Sequence, residues 1–184
     1  MKEKQKGKRL EDSMETGYVQ IYTGNGKGKT TAAFGLALRA ALSGKRVFIG
    51  QFVKGMEYSE LAVKDVISAI EIEQFGRGCF IEKVPVKEDY EAAAKGLARA
   101  CEILSERHHD LVVLDEIFIA LFFKLITIAD ILALIDKRHP AVELVLTGRY
   151  APQEIIERAD LVTEMLEVRH YYSKGVIARR GIEY

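Results

Sequence analysis

Apolar residues in this chain fall into short dense runs separated by longer amphipathic stretches, the alternation expected when buried strands exchange with surface helices. Tyr18 to Tyr22 alternates and predicts a first strand. Arg46 to Phe52 is mostly apolar, as a strand covered on both faces must be. Glu71 to Phe75 and Leu111 to Glu116 predict further strands, as does Glu143 to Thr147, which is followed by Gly148-Arg149. Leu161 to Leu166 alternates or runs apolar, and Gly175 to Tyr184 predicts a closing strand. Helices are expected from about Thr30 to Leu42, stopped by Ser43-Gly44, and from Ser59 to Ile67. A long one is expected over Glu88 to Arg107, with Ala92, Leu97, Ala100, Cys101 and Leu104 on its apolar side, then Ile128 to Asp136 and Pro152 to Arg158. Met1 to Thr16 is polar without apolar period and reads as a mobile arm ahead of one domain over 17–184.

Strands alternating with helices give an α/β fold, a mainly parallel sheet with helices on both faces. Its loops of interest gather at the carboxyl ends of the strands.

One such loop sets the chemistry. Between the first strand and first helix stands Thr23-Gly24-Asn25-Gly26-Lys27-Gly28-Lys29-Thr30-Thr31. Strand, glycine-rich turn and helix start in that order form a phosphate cradle, in which backbone N–H groups and the helix N-terminus face an anion. Lys29 supplies a full charge to the outer phosphates and the Thr30 hydroxyl a ligand to Mg²⁺. Thr23 stands where the strict pattern has its first glycine, so this is a variant P-loop, with Gly24 and Gly26 beside it to make the turn.

Leu111-Val112-Val113-Leu114-Asp115-Glu116 is the second signal, a buried strand that delivers a carboxylate toward the metal of a bound nucleotide. Asp115 or Glu116 would contact Mg²⁺ directly or through water. Lys54, just past the second strand, reads equally as an anion contact or a solvated loop lysine. Arg149 lies past another strand end.

Composition narrows the partners. The 184 residues are 48% hydrophobic, enough for a real core. Lys plus Arg and Asp plus Glu balance at 27 each, which argues for neither nucleic acid nor a membrane surface. No apolar run has the ~20 residues of a membrane span, and no apolar core of a secretory signal stands at the amino end. Cys79 and Cys101 read as two unpaired thiols in a reducing cytoplasm. His108, His109, His139 and His170 lack metal-ligand spacing and read as surface or loop residues.

In order and spacing these segments resemble the P-loop-type ATP:corrinoid adenosyltransferases. The resemblance rests on Thr23 to Ala33, Gln51-Phe-Val-Lys-Gly55, Phe75-Gly-Arg-Gly78, Leu111 to Glu116, Leu146-Thr-Gly-Arg149 with Ala151-Pro152, Ala159 to Glu164, and Gly181-Ile-Glu-Tyr184. It implies a P-loop NTPase-like (RecA-like) fold. It also implies attack of a Co(I) corrinoid, cob(I)alamin or cob(I)yrinic acid a,c-diamide, on the 5′ carbon of ATP, with triphosphate leaving. Cobalt is itself the nucleophile in such a transfer, so no Ser/His or Cys/His machinery is required. By matching motif, Gly24, Asn25, Gly26, Lys27, Gly28, Lys29, Thr30 and Thr31 hold the phosphates, with Lys54 and Arg149 near the nucleotide and Arg39 a further candidate. Lys29, Thr30 and Glu116 carry catalysis, and Thr30, Asp115 and Glu116 serve Mg²⁺ or Mn²⁺. Gly78 and Phe80 face the corrinoid, in a loop where this chain has Cys79-Phe80-Ile81 and relatives can carry aromatics directly after the glycine. The resemblance further implies a flavoprotein electron donor and a homodimer. Two other readings of the cradle are a kinase or ATPase cleaving the γ-phosphate and a nucleotide-dependent regulator without turnover.

Overall fold

The computed structural model describes residues 16–78 and 84–184. Among these, six strands form one sheet in the order β3-β2-β4-β5-β1-β6, every neighbouring pair parallel. The elements run β1 (Val19–Thr23), α1 (Lys29–Leu42), β2 (Val47–Phe52), a 3₁₀ turn (Ser59–Ala62) leading into α2 (Val63–Val66), and β3 (Ile70–Phe75). Then come α3 (Lys87–Glu106), β4 (Leu111–Asp115), α4 (Ile117–Phe122), α5 (Ile128–Lys137), β5 (Glu143–Thr147), α6 (Gln153–Ile156), β6 (Leu161–Glu164) and a 3₁₀ turn at Tyr171–Lys174.

Period-two alternation sorts the strand side chains onto two faces. Val47, Ile49, Leu111, Val113 and Val145 point to one side and pack against Ala33, Ala37, Ala40 and Ala41 of α1. These alanines let the helix lie close over the cradle strand and its neighbours. Phe48, Phe52, Val112, Leu114, Leu144 and Leu146 point to the other side, where α3, α4 and α5 contribute Ala93, Ala100, Leu104, Ile117, Phe118 and Ile131. The all-buried patterns of β2 and β4 follow from that double cover.

The parallel arrangement brings the carboxyl ends of β1, β2, β4 and β5 to one edge, as the strand–helix alternation predicts. Three departures are instructive. Residues 175–184 are turns and irregular backbone rather than a strand, with Gly175 and Gly181 at positive φ, and their polar groups bond within the segment and to the cradle. Second, α4 fills an apolar stretch after Asp115 whose continuous hydrophobicity hides any helical period. Third, His109 is no surface residue. Its side chain is 12% exposed, wedged edge-on to Phe48 with Nε2 3.2 Å from Glu71. Burial lowers its pKa against the opposing pull of Glu71. His108, by contrast, is exposed. Of the amino-terminal arm only Thr16 is described, and Cys79 lies outside the described residues; Cys101 is an unpaired, half-buried thiol.

Candidate functional site

β1 ends at Thr23 and the chain turns through Gly24 (φ 92°) and Gly28 (φ 121°) before Lys29 starts α1. The first turn of α1 contains no acidic residue, so nothing on the helix offsets the positive end of its dipole. Lys29 is buried and its Nζ donates to the carbonyls of Gly24 (2.8 Å) and Gly26 (2.7 Å). Burial depresses its pKa, opposed by Glu116 and Asp115 and reinforced by Arg149. A desolvated ammonium held by neutral carbonyls is a strong attractor for an anion.

Glycine at positions 24 and 26 has a second cause. The segment after β6 lies directly on the loop: the Gly26 N–H donates to the Met165 carbonyl at 2.7 Å, and Met165 N–H to the Thr23 carbonyl at 2.9 Å. A Cβ on Gly24 would sit 2.5 Å from the Met165 oxygen, and one on Gly26 2.7 Å from it and 2.8 Å from that of Leu166. The Gly26 N–H is therefore committed to the fold rather than to a ligand.

Under the helix start lies Asp115, fully buried at the end of β4. Its Oδ1 accepts from Thr30 Oγ1 (3.0 Å) and Thr147 Oγ1 (2.7 Å), and its Oδ2 from Lys54 Nζ (2.8 Å) and, more weakly, Gln51 Nε2 (3.4 Å). Lys54 is thus no solvated loop lysine. Its burial disfavours the charge, but Asp115 and Glu60 outweigh that and raise its pKa. Glu60 lies 3.5 Å from Lys54, whose ammonium also sits over the Tyr58 ring. The next residue, Glu116, takes a left-handed conformation (φ 57°) that lets its N–H donate to Thr147 Oγ1 at 3.0 Å. Burial, then the charge of Asp115, raises the Glu116 pKa, and its Oε2 is buried without a hydrogen-bond partner. Among the described residues no cluster of three or more His, Cys, Asp or Glu side chains could hold a metal. The oxygen groups that could serve one beside a nucleotide are the Thr30 hydroxyl, Asp115 and the open oxygen of Glu116.

The other sequence candidates are distributed as follows. Arg149, exposed, lies two residues beyond β5 and acts electrostatically on both Lys29 and Glu116. Asn25 and Thr31 are exposed on the cradle rim. Arg39 is in the last turn of α1, about 15 Å along the axis from Lys29. Gly78 ends the described part of the loop after β3, and its carbonyl accepts from Gly55 N–H at 2.9 Å, which ties that loop to the one carrying Lys54. Phe80 lies outside the described residues.

Sequence reasoning missed Thr147, Gln51 and Glu60. Thr147 bridges both acids because β5 lies between β1 and β4, a neighbourhood no local pattern reveals. Gln51 offered a signal, a buried amide in an otherwise apolar strand. It donates to Asp115 and Glu60 (3.2 Å) and accepts from Gln74 (3.1 Å), a polar chain that requires partners at every step.

Residues 15–184 match the model of the family described as ATP:corrinoid adenosyltransferase BtuR/CobO/CobP. The chain belongs to that family. A corrinoid adenosyltransferase of Sinorhizobium sp is 34% identical over 174 residues, 92% of this chain and 81% of that protein. One from Escherichia coli K12 is 31% identical over 184 residues, 100% of this chain and 94% of the relative. Corrinoid adenosyltransferase CobA of Salmonella typhimurium is 32% identical, with 92% of this chain and 87% of that protein covered. Among solved structures, the RadB recombinase is similar in fold with a TM-score of 0.53 and 13% identity, over 85% of this chain and 77% of that one. With the six-stranded parallel sheet, this makes the fold an α/β, P-loop NTPase-like (RecA-like) one.

Proposed function

We propose that this chain transfers the 5′-deoxyadenosyl group of ATP to the Co(I) centre of a corrinoid and releases triphosphate, in cobalamin biosynthesis or salvage. The observation that carries the reading is the contact of Thr30 with the buried Asp115, directly after the desolvated Lys29 and within a chain of this family. The cobalt supplies the electron pair that forms the Co–C bond, while the C5′–O bond breaks and its electrons leave on the triphosphate. Protein groups are then needed to neutralise the leaving charge and to fix the ribose carbon in line. Lys29 would give up its carbonyl partners for phosphate oxygens, and Arg149 stands near enough to add long-range positive potential. Mg²⁺, held by Thr30 and an acid of the Asp115–Glu116 pair, would neutralise part of the phosphate charge. Lys54 fixes the Asp115 carboxylate in place with its 2.8 Å contact to Oδ2. Gly78, beside the Lys54 loop, would meet the corrinoid together with Phe80. A flavoprotein reductase, a second copy of the chain and a cytoplasmic setting complete the proposal; no helix among the described residues is long and apolar enough to cross a membrane.

The deciding experiment combines protein, ATP, Mg²⁺ and a chemically reduced corrinoid. Triphosphate and a cobalt–carbon bond in the corrinoid spectrum are expected. ADP and orthophosphate without that bond would mean a γ-phosphate-cleaving enzyme, and nucleotide binding without turnover a regulator.

A further inference from the structure

Lys27 sits in the cradle between Gly26 and Gly28, where its ammonium would be expected to face a phosphate. Its three donors are otherwise engaged. Nζ donates to Tyr171 Oη at 3.0 Å, to the Ile182 carbonyl at 2.9 Å and to Glu183 Oε1 at 2.7 Å. An ammonium has three hydrogens and no more, so this set is complete.

The acceptors all belong to the segment 171–184, which folds on itself around Glu183. That carboxylate also accepts from the Arg179 N–H at 2.7 Å, from the Arg179 guanidinium at 3.3 Å and from the Tyr171 hydroxyl. Arg179, then Lys27 and Tyr171, hold the Glu183 pKa far below the ordinary carboxylate range, and Glu183 raises that of Lys27 in turn. The segment has a second attachment: Ser59 Oγ donates to the Tyr184 backbone oxygen at 2.9 Å, at the head of the turn that carries Glu60. It thus spans from the cradle to the loop behind Lys54.

We infer that Lys27 is a fastening point for a strap formed by residues 171–184 rather than a phosphate ligand, and that Glu183 is a positioning residue that holds this strap across the nucleotide edge. The inference rests on the reading of the cradle as a triphosphate site. It accounts for a lysine in a glycine loop whose neighbours Gly24 and Gly26 are already pressed against Met165 and Leu166. The loop is clamped on the side of β6 by backbone and on its rim by one saturated ammonium.

A double-mutant cycle of Lys27→Met and Glu183→Gln tests it, with two readouts. The first is tryptic cleavage after Arg179 and Arg180, followed by mass spectrometry without nucleotide. The second is the dissociation constant for ATP by calorimetry. Both single variants should be cleaved several-fold faster than wild type, and the double variant no faster than the worse single. Lys27→Arg, which keeps a charged donor, should restore resistance at those two bonds. ATP affinity should fall by a similar small factor in both singles, and Lys27→Met should cost nothing further in the Glu183→Gln background. A further loss of about tenfold in that background would make Lys27 a phosphate ligand and overturn the inference. Unchanged cleavage in Glu183→Gln would overturn it as well. Wild-type protein that bound no ATP would remove the cradle reading and this inference together, whereas ATP binding with independent losses would remove only the inference.

Discussion

Both ends of the sheet carry a knot of acidic and basic side chains, and the two knots differ in burial and in backbone. At the amino end Arg99 donates to Glu73 and Glu71, each at 2.8 Å, and lies 3.1 Å from Glu102, over the face of Phe48. Its partners are 31–51% exposed. Those carboxylates raise the pKa of Arg99, Glu73 foremost. At the carboxyl end Asp115 is wholly buried and Lys54 nearly so. There the backbone is strained too: Val53, Glu116 and Tyr150, each just past a strand of the sheet, all have positive φ. Left-handed geometry at a β-branched residue such as Val53 costs about 1–2 kcal/mol. At the amino end the positive φ of Arg107 is an ordinary helix termination. The same residue types therefore do different work. Water-screened pairs tidy a surface, while desolvated pairs on a strained frame create unsatisfied affinity for a ligand.

The sharpest break in this comparison is Lys29→Ala. Loss of one preorganised charge on a leaving group should lower adenosyl transfer about 10²–10³-fold with thermal stability little changed, as steady-state assay and melting would read. Activity near wild type would deny the carboxyl end its special status. Asp115→Ala comes next, because it leaves Lys54 buried without its main counter-charge. A stability loss of about 3–5 kcal/mol in urea denaturation is expected. Arg99→Met should cost about 1 kcal/mol or less and leave ATP affinity untouched, since its partners are screened by water. A loss as large as that of Asp115→Ala would erase the distinction. The smallest effect is His109→Gln. A histidine whose folded pKa is lowered stabilises the protein fully above its unfolded pKa, about 6.5, and loses that contribution as pH falls below it. Burial is the main cause of that shift; Glu71 opposes it, and the positive charges of Arg46 and Arg99 add to it. Stability of the glutamine variant, followed by denaturation between pH 7 and 5, should decline less steeply than that of wild type.

Much of this contrast could be read before any coordinates. Strand-length apolar runs ending in Lys54, Asp115 and Arg149 announced a sheet edge, and Gly28-Lys29-Thr30 announced its ligand class. What escaped depended on elements distant in sequence. Thr147 matters only because β5 is threaded between β1 and β4. His109 is buried only because Phe48 and Glu71 close over it. The ten residues from Gly175 carry apolar and β-branched positions typical of a strand. Their shape is decided by Glu183 finding Arg179 and Lys27, which outweighs the local preference. α4 was missed for the opposite reason, because a wholly apolar stretch has no period to read.

The strand order has a consequence for how the protein is made. β1, first in the chain, joins the sheet only through β5 and β6, where Val19 aligns with Leu144 and Gln20 with Leu161. As the polypeptide leaves the ribosome, the P-loop is made well before β5 and β6 and has no partner strand to hang from until those strands have emerged. Pairings this remote are slow to form. The anion cradle is thus translated ahead of the strands that fix its shape.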